Sequence, residues 1–323
     1  MFSVGGTGAS EVEASILQIR VKSETTPSGL SAMLPRISVR AKSTCTKFHP
    51  LNDNYKTLRH IHFPGITPFQ KGEAIQAQMV AANLDFKKME AKIRKQQKDF
   101  LDQGFALSDY EDKFLKQVLS MKPFPTLLTF EFDNVYTGGK QMKQDPSLVQ
   151  KIHEYEALGC KYHQLERGGQ VTWHGNGQMT AYLILDLKQF SQLTVKCFVD
   201  AVLLRAVQNM LEKNYGLESH TNDNPGVWMA PNDLKIASVG CNIQRAITSY
   251  GVGVNINPDM KFLNTYTMCG LPGTRATSLK ELKPDADLSV RTAGDLYAKE
   301  IAKLLNITTV EHMDGQDLLA EES

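Results

Sequence analysis

The chain has 323 residues, 41% hydrophobic and 22% charged, with a formal net charge of +1, which suits one large globular domain or two smaller ones with a sizeable core. So balanced a charge lacks the concentrated basic surface that nucleic-acid binding needs, and no apolar run approaches the roughly 18 to 20 residues of a membrane span. The five cysteines, Cys45, Cys160, Cys197, Cys241 and Cys269, are odd in number and contain no CxxC pair, so neither a disulfide framework nor a cysteine zinc knuckle is expected and the thiols read as free, in a reducing compartment.

From Thr25 to Asn52 there is no Asp or Glu, while Arg36, Arg40, Lys42 and Lys47 sit among Ser and Thr, the composition of a mitochondrial presequence. Residues 1–50 are therefore expected to be a presequence-like or disordered segment, with a compact domain from 51 to 310 and a C-terminal tail from 311 to 323. Thr67 and Pro68 offer an N-cap and a favourable first helical residue for a helix carrying Ile75, Met79 and Ala82 on one face. Residues 85–123 begin with six basic and two acidic residues between Asp85 and Lys98 and are broken by Gly104; they read as a helical insertion on the surface, either a solvated charged face or a docking face for an acidic partner.

Leu128, Phe130 and Phe132 alternate in "PTLLTFEFDNVYTGGK" as a strand running into a glycine loop. The stretch "RGGQVTWHGNGQ", Arg167 to Gln178, carries four glycines, so the backbone there bends tightly or approaches another group closely. It fits neither a phosphate-binding P-loop nor a dinucleotide fingerprint, and taken alone it also fits a purely structural turn. "AYLILDL" is a further strand. Val195, Phe198, Val199, Val202, Leu203, Ala206 and Met210 form one buried helix face, with Cys197 inside it and Gly216 as a stop. "LKIASVGCNIQRAITSYGVGVNINP" reads as two strands around a turn, and a closing helix starts near Ser289. Strands and helices mix without a βαβ or longer repeat, so the fold class is α+β.

Three further features carry chemistry. Lys235 opens an otherwise small, apolar strand, where a lysine ordinarily snorkels to solvent. Gly251 and Gly253 alternate with Val252 and Val254, clearing a slot along one strand face for a slender ligand. Cys269, followed by Gly270, Pro272 and Gly273, lies in a loop where a thiol is accessible to act as a nucleophile.

The order of these pieces, RGGQVTxHGxGQ, then KIASxG, GxxxN, CG and TSL, closely resembles the octanoyltransferases of lipoate biosynthesis, from about Thr67 to about Leu305. The resemblance implies the mixed sheet flanked by helices of the biotin and lipoate protein ligase catalytic domain. It implies Cys269 as acyl-accepting nucleophile and Lys235 as its partner base. It also implies an acyl site walled by Arg167, Gly168, Gly169, Gln170, Val171, Thr172, Trp173 and His174, by Ser238, Val239 and Gly240, and by Gly251, Val252 and Gly253. His174 and Gln170 are expected to set the wall by hydrogen bonding.

No cofactor or metal is implied. The implied donor is octanoyl-acyl carrier protein. The acceptors are lipoyl domains of oxoacid dehydrogenase complexes and the glycine cleavage H protein, in the mitochondrial matrix. The chain departs from the family in carrying Met268 where Pro commonly precedes the cysteine, and in the added length of 85–123. An ATP-dependent lipoate or biotin ligase on the same fold, or a non-catalytic acyl-carrier or lipoyl-domain binding protein, are the competing readings; the pairing of Cys269 with Lys235 argues against both.

Overall fold

The computed structural model describes residue 45 and residues 47–266, 273–286 and 288–320. The presequence-like stretch up to residue 44 and the expected nucleophile Cys269 lie outside the described residues.

The first half of the chain supplies β1 (Thr57–Thr67), α1 (Phe69–Asp102), α2 (Asp109–Ser120), β2 (Thr126–Phe132), β3 (Val135–Gly138), α3 (Leu148–Ala157), β4 (Lys161–Gln164), β5 (Val171–His174) and β6 (Gln178–Ile184). The second half begins with α4 (Val195–Cys197), which continues through a π-helical segment (Phe198–Leu204) into α5 (Arg205–Tyr215). After it come β7 (Ser219–His220), β8 (Val227–Met229), β9 (Leu234–Gln244), β10 (Ile247–Asn255), α6 (Met260–Leu263), α7 (Leu279–Leu282), α8 (Val290–Leu304), β11 (Thr309–Asp314) and α9 (Gln316–Ala320).

The strands form an eight-stranded sheet in the order β11-β1-β2-β6-β10-β9-β8-β7 and a three-stranded sheet in the order β4-β3-β5. In the large sheet β1 runs parallel to β11 and to β2, and the remaining pairs are antiparallel. Successive side chains on a strand point to opposite faces, and the core divides accordingly. Leu127, Ala181, Leu183, Val252 and Val254 join the helical residues Phe198, Val207, Ala293 and Ile301 on one side. Leu128, Phe130, Tyr182 and Ile184 join Phe69 and Ile75 of α1 on the other. The mixed sheet flanked by helices expected from the sequence is thus present.

The helix of residues 195–215 ends as expected. Gly216 takes a left-handed φ of 63°, with Gly216 N–H donating to Glu212 O at 3.0 Å, the 5→1 bond of an αL stop, and Leu217 N–H donating to Leu211 O at 3.1 Å.

Several expectations are corrected. Thr67 ends β1 rather than capping α1; the cap comes from Asp133, whose Oδ1 accepts from Phe69 N–H at 2.7 Å. Such a cap crosses 64 residues of sequence and no local pattern announces it. Residues 311–314, expected in a tail, lie in β11, because the parallel ladder with β1 satisfies their backbone. Cys45 and Cys197, read as free thiols, form a disulfide with Cα atoms 5.5 Å apart. Chain pairing brings them together, since His49 and Ser191 exchange backbone and side-chain hydrogen bonds beside that bridge. The 85–123 excursion is the second half of α1, Gly104 with a φ of 82°, and α2. It exposes Phe100, Leu101, Phe105, Tyr110, Phe114 and Met121.

Candidate active site

A cavity of about 340 Å³ lies where β5, β6, β9 and β10 meet, at the small end of the usual range for small-molecule sites. All the described residues expected in the acyl site line it except Trp173. Alternation along β5 explains the exception: Thr172 and His174 face the cavity, whereas Trp173 is fully buried among Tyr136, Cys160 and Phe262, stacked on Phe262 at 5.5 Å.

The first wall is built around Arg167, which is 6% exposed. Its Nη1 donates to the carbonyls of Gly168 at 3.0 Å and Gln170 at 3.1 Å, and its Nη2 to Thr137 O at 2.7 Å and Thr137 Oγ1 at 2.9 Å. The planar guanidinium matches such a fork of acceptors. Gly169 turns the loop with a φ of 86°. Gly139 answers from the end of β3, where a Cβ would stand 2.3 Å from Gly169 O. The glycines of "RGGQ" and of "TGGK" are thus two sides of one backbone contact. Gln170 contributes through its main chain, its carbonyl accepting from Gly139 N–H at 3.1 Å.

The second wall is β9 and β10. Gly251 pairs with Gly240 and with Tyr182, and Gly253 with Ser238 and Thr180, so these residues share a face. A Cβ at Gly251 would lie 2.2 Å from Ala181 O, and one at Gly253 would lie 2.8 Å from Gln178 Oε1. The alternate glycines therefore admit protein atoms of β6 beside the cavity, which corrects the expectation of an open slot.

Lys235 is 4% exposed and lines the cavity, so the snorkelling alternative fails. Its Nζ donates to Pro225 O at 2.8 Å and lies 5.0 Å from the Trp228 ring centre. Its backbone N–H donates to Arg275 O at 2.9 Å, and its carbonyl accepts from Thr277 N–H at 3.0 Å. Tyr266 lines the same cavity. The described chain on both sides of residues 267–272 therefore meets the site.

The two walls are tied by a relay. His174 Nδ1 is 2.7 Å from Gln178 Oε1, Gln178 Nε2 donates to Asn255 Oδ1 at 3.0 Å, and Asn255 Nδ2 donates to Thr277 O at 3.0 Å. Thr277 N–H closes it on Lys235 O. Because Gln178 Oε1 can only accept, His174 carries its proton on Nδ1. Burial pushes the imidazole down to about 4, with the Gln178 hydrogen bond opposing and the Arg167 charge adding to the shift, so His174 is neutral at pH 7.

Gln178 and Asn255 stand in the motif HGxGQ and at the end of GxxxN; their residue types marked them, but only the fold gives them this role. Sequence reasoning also missed Tyr182, Tyr250 and Cys241, which line the cavity. Tyr182 hides in the apolar run "AYLILDL". Its hydroxyl and Thr172 Oγ1 are buried without a hydrogen-bond partner among the described residues, and burial raises the Tyr182 phenol, leaving it a donor. Tyr250 holds a φ of 60°, uncommon for a residue with a bulky side chain, and its N–H donates to Gln76 Oε1 of α1. Burial pushes the Cys241 thiol up to about 11, so Cys241 lines the cavity in its unreactive form.

Residues 104–302 match the family model described as the lipoyl protein ligase A/B catalytic domain. The chain is 40% identical to the mitochondrial octanoyltransferase of Saccharomyces cerevisiae, over 84% of this chain and 88% of that one. It is 38% identical to the mitochondrial octanoyltransferase of Kluyveromyces lactis, over 87% and 91%. With the mitochondrial octanoyl-acyl-carrier-protein:protein N-octanoyltransferase of Danio rerio it shares 37% identity over 50% and 69%. The motifs, the cavity they enclose and these relatives agree: the chain belongs to the lipoyl protein ligase A/B catalytic-domain family, in its octanoyltransferase branch.

Proposed function

We propose that the protein transfers an octanoyl group from octanoyl-acyl carrier protein to a lysine amine of lipoyl domains, by way of a thioester on Cys269. The observation that carries this reading is Lys235, an ammonium buried in the cavity wall whose backbone is paired to the segment returning from residues 267–272. A thiol with an ordinary pKa of about 8.5 is mostly protonated at neutral pH, and a nearby cation favours the thiolate. The Cys269 thiolate attacks the thioester carbonyl, forming the new C–S bond, and the carrier's thiolate leaves, taking a proton from Lys235. Exchange of one thioester for another is close to neutral in free energy, so ATP has no part in it. The acceptor amine then attacks the acyl-enzyme, giving its proton to Lys235, and Cys269 departs as the thiolate. The acceptors are the lipoyl domains of oxoacid dehydrogenase complexes and the glycine cleavage H protein, and the compartment is the mitochondrial matrix; the acid-free stretch Thr25 to Asn52 and relatives named mitochondrial support the latter.

Incubation with octanoyl-acyl carrier protein, without ATP, tests this by intact mass. One adduct of about 126 Da, removed by hydroxylamine, is expected on the wild-type protein and on Cys241→Ser, and none on Cys269→Ala. An adduct that forms at the wild-type rate on Cys269→Ala, or only when ATP is added, would overturn the thioester route.

A further inference from the structure

At the other end of the large sheet from the cavity, β1, β11 and α8 bring three potential ligand atoms together. His60 Nδ1 lies 2.9 Å from His312 Nδ1 and 3.3 Å from Asp295 Oδ1, and His312 Nδ1 lies 3.0 Å from the same oxygen. The fold imposes this. His60 stands opposite His312 in the parallel ladder, and Gly294 seats α8 close to the strands, where a Cβ would come within 3.2 Å of Thr129 Oγ1 and 3.4 Å of His60 Nε2.

One hydrogen-bonded tautomer presents His60 as a ligand. Thr129 Oγ1 is 2.8 Å from His60 Nε2 and 3.1 Å from His62 Nδ1. A hydroxyl has one proton to give, so Thr129 donates to one imidazole and accepts from the other; in the arrangement in which His60 Nε2–H donates to Thr129 and Thr129 donates to His62, His60 Nδ1 is an acceptor. The lone pair of His60 Nδ1 then faces His312 and Asp295. A proton on His312 Nδ1 can serve His60 Nδ1 or Asp295 Oδ1, and these two acceptors still face each other at 3.3 Å. A divalent cation satisfies all three lone pairs at once. Ligand atoms about 2.0–2.1 Å from a tetrahedral zinc are roughly 3.3–3.4 Å apart, so a triangle with edges of 2.9, 3.0 and 3.3 Å needs only a slight expansion to become one face of that polyhedron. A ring nitrogen bonded to a second group, as Nε2 is to Thr129, is the usual companion of a metal-binding imidazole.

We propose that His60, Asp295 and His312 form a zinc site with a fourth position open to water, which clips β11 to β1 and α8. The clip has work to do there, since β11 is exposed along most of its length and few buried side chains hold it.

The test is titration of the full-length, untagged, chelator-stripped protein with zinc alone, its accessible thiols first blocked with iodoacetamide. One equivalent is expected to bind, raising Tm by about 5 °C at a hundredfold excess over Kd, with X-ray absorption reporting two imidazole nitrogens. His312→Ala and Asp295→Asn, both at partly exposed side chains, should each weaken binding by at least about 100-fold while leaving the Tm of the metal-free protein within about 2 °C. No stoichiometric binding to the wild-type protein, or binding of equal strength in both variants, would overturn the proposal and leave a hydrogen-bonded triad.

Discussion

The two walls of the cavity each carry a buried cation, Arg167 at 6% exposure and Lys235 at 4%, and they use it differently. The Arg167 wall is closed: its guanidinium is fixed by the carbonyls of Gly168, Gln170 and Thr137, so its charge organises backbone. On the Lys235 wall the ammonium stands on a flexible stem beside Pro225 O and the Trp228 ring, at the strand that pairs with the chain returning from residues 267–272. Arginine does not lose its proton in proteins, whereas lysine can. Burial alone therefore does not mark a chemical group; what the charge is bonded to, and whether it can give up a proton, separates a strut from a base.

Substituting each cation in turn breaks the comparison most directly. Lys235→Ala should lower octanoyl transfer by about 10² to 10⁴, and Lys235→Arg should restore iodoacetamide labelling of Cys269 better than it restores transfer, because it keeps the charge without a removable proton. Arg167→Met should act through the fold, leaving buried carbonyls unpaired at a cost of about 3 kcal/mol and lowering Tm by about 5 °C. Single-turnover kinetics and thermal denaturation on both variants check this. If Arg167→Met lost transfer with Tm unchanged, or Lys235→Ala lost Tm and transfer together, the assignment of strut and base would be reversed.

Much of both walls was legible in the sequence because glycine density reports close backbone approach, and because Lys235 interrupts an apolar strand. What was not legible depends on distant partners. Asp133 capping α1, β11 joining β1, and the disulfide between Cys45 and Cys197 are separated by tens to hundreds of residues, and no local period encodes them. Trp173 was misplaced because an unbroken motif was read as one surface, although strand alternation sends its neighbours the other way. The zinc ligands His60, Asp295 and His312 have no motif spacing at all. Gly251 and Gly253 were recognised for the right property and the wrong neighbour: the space they leave is taken by β6.

That correction sharpens the comparison at a smaller scale. Gly251→Ala would drive a Cβ against the backbone oxygen of Ala181 at 2.2 Å, whereas Gly253→Ala meets the end of the Gln178 side chain at 2.8 Å. The first should cost about 1–3 kcal/mol of stability, as overpacking does, and lower transfer equally for hexanoyl and octanoyl donors. The second should cost less stability and disturb His174 through Gln178. Transfer rates with six- and eight-carbon donors, beside denaturation curves, separate the two. A selective loss of the longer donor in Gly251→Ala at unchanged stability would restore the open slot.

The smallest expected effect is the pH dependence that the closed wall imposes through His174. Its folded-state value is about 4, against about 6.5 for an unperturbed imidazole. The unfolded chain therefore binds this proton first as pH falls. Stability is complete above about pH 6.5, is reduced by about 1.4 kcal/mol at pH 5.5, and is reduced by about 3 kcal/mol near pH 4. His60 titrates in the same window, so the contribution has to be taken as a difference. His174→Gln, which cannot titrate, should flatten the urea-denaturation stability between pH 7.5 and 5.5 by about 1.4 kcal/mol relative to the wild-type protein. Because the Arg167 charge also lowers the His174 value, Arg167→Met should shift the folded-state proton uptake to higher pH and remove part of that acid sensitivity. Parallel curves for wild type and His174→Gln would mean that His174 is protonated as easily in the folded chain as in the unfolded one, and the relay to Gln178 would then have to accommodate an imidazolium.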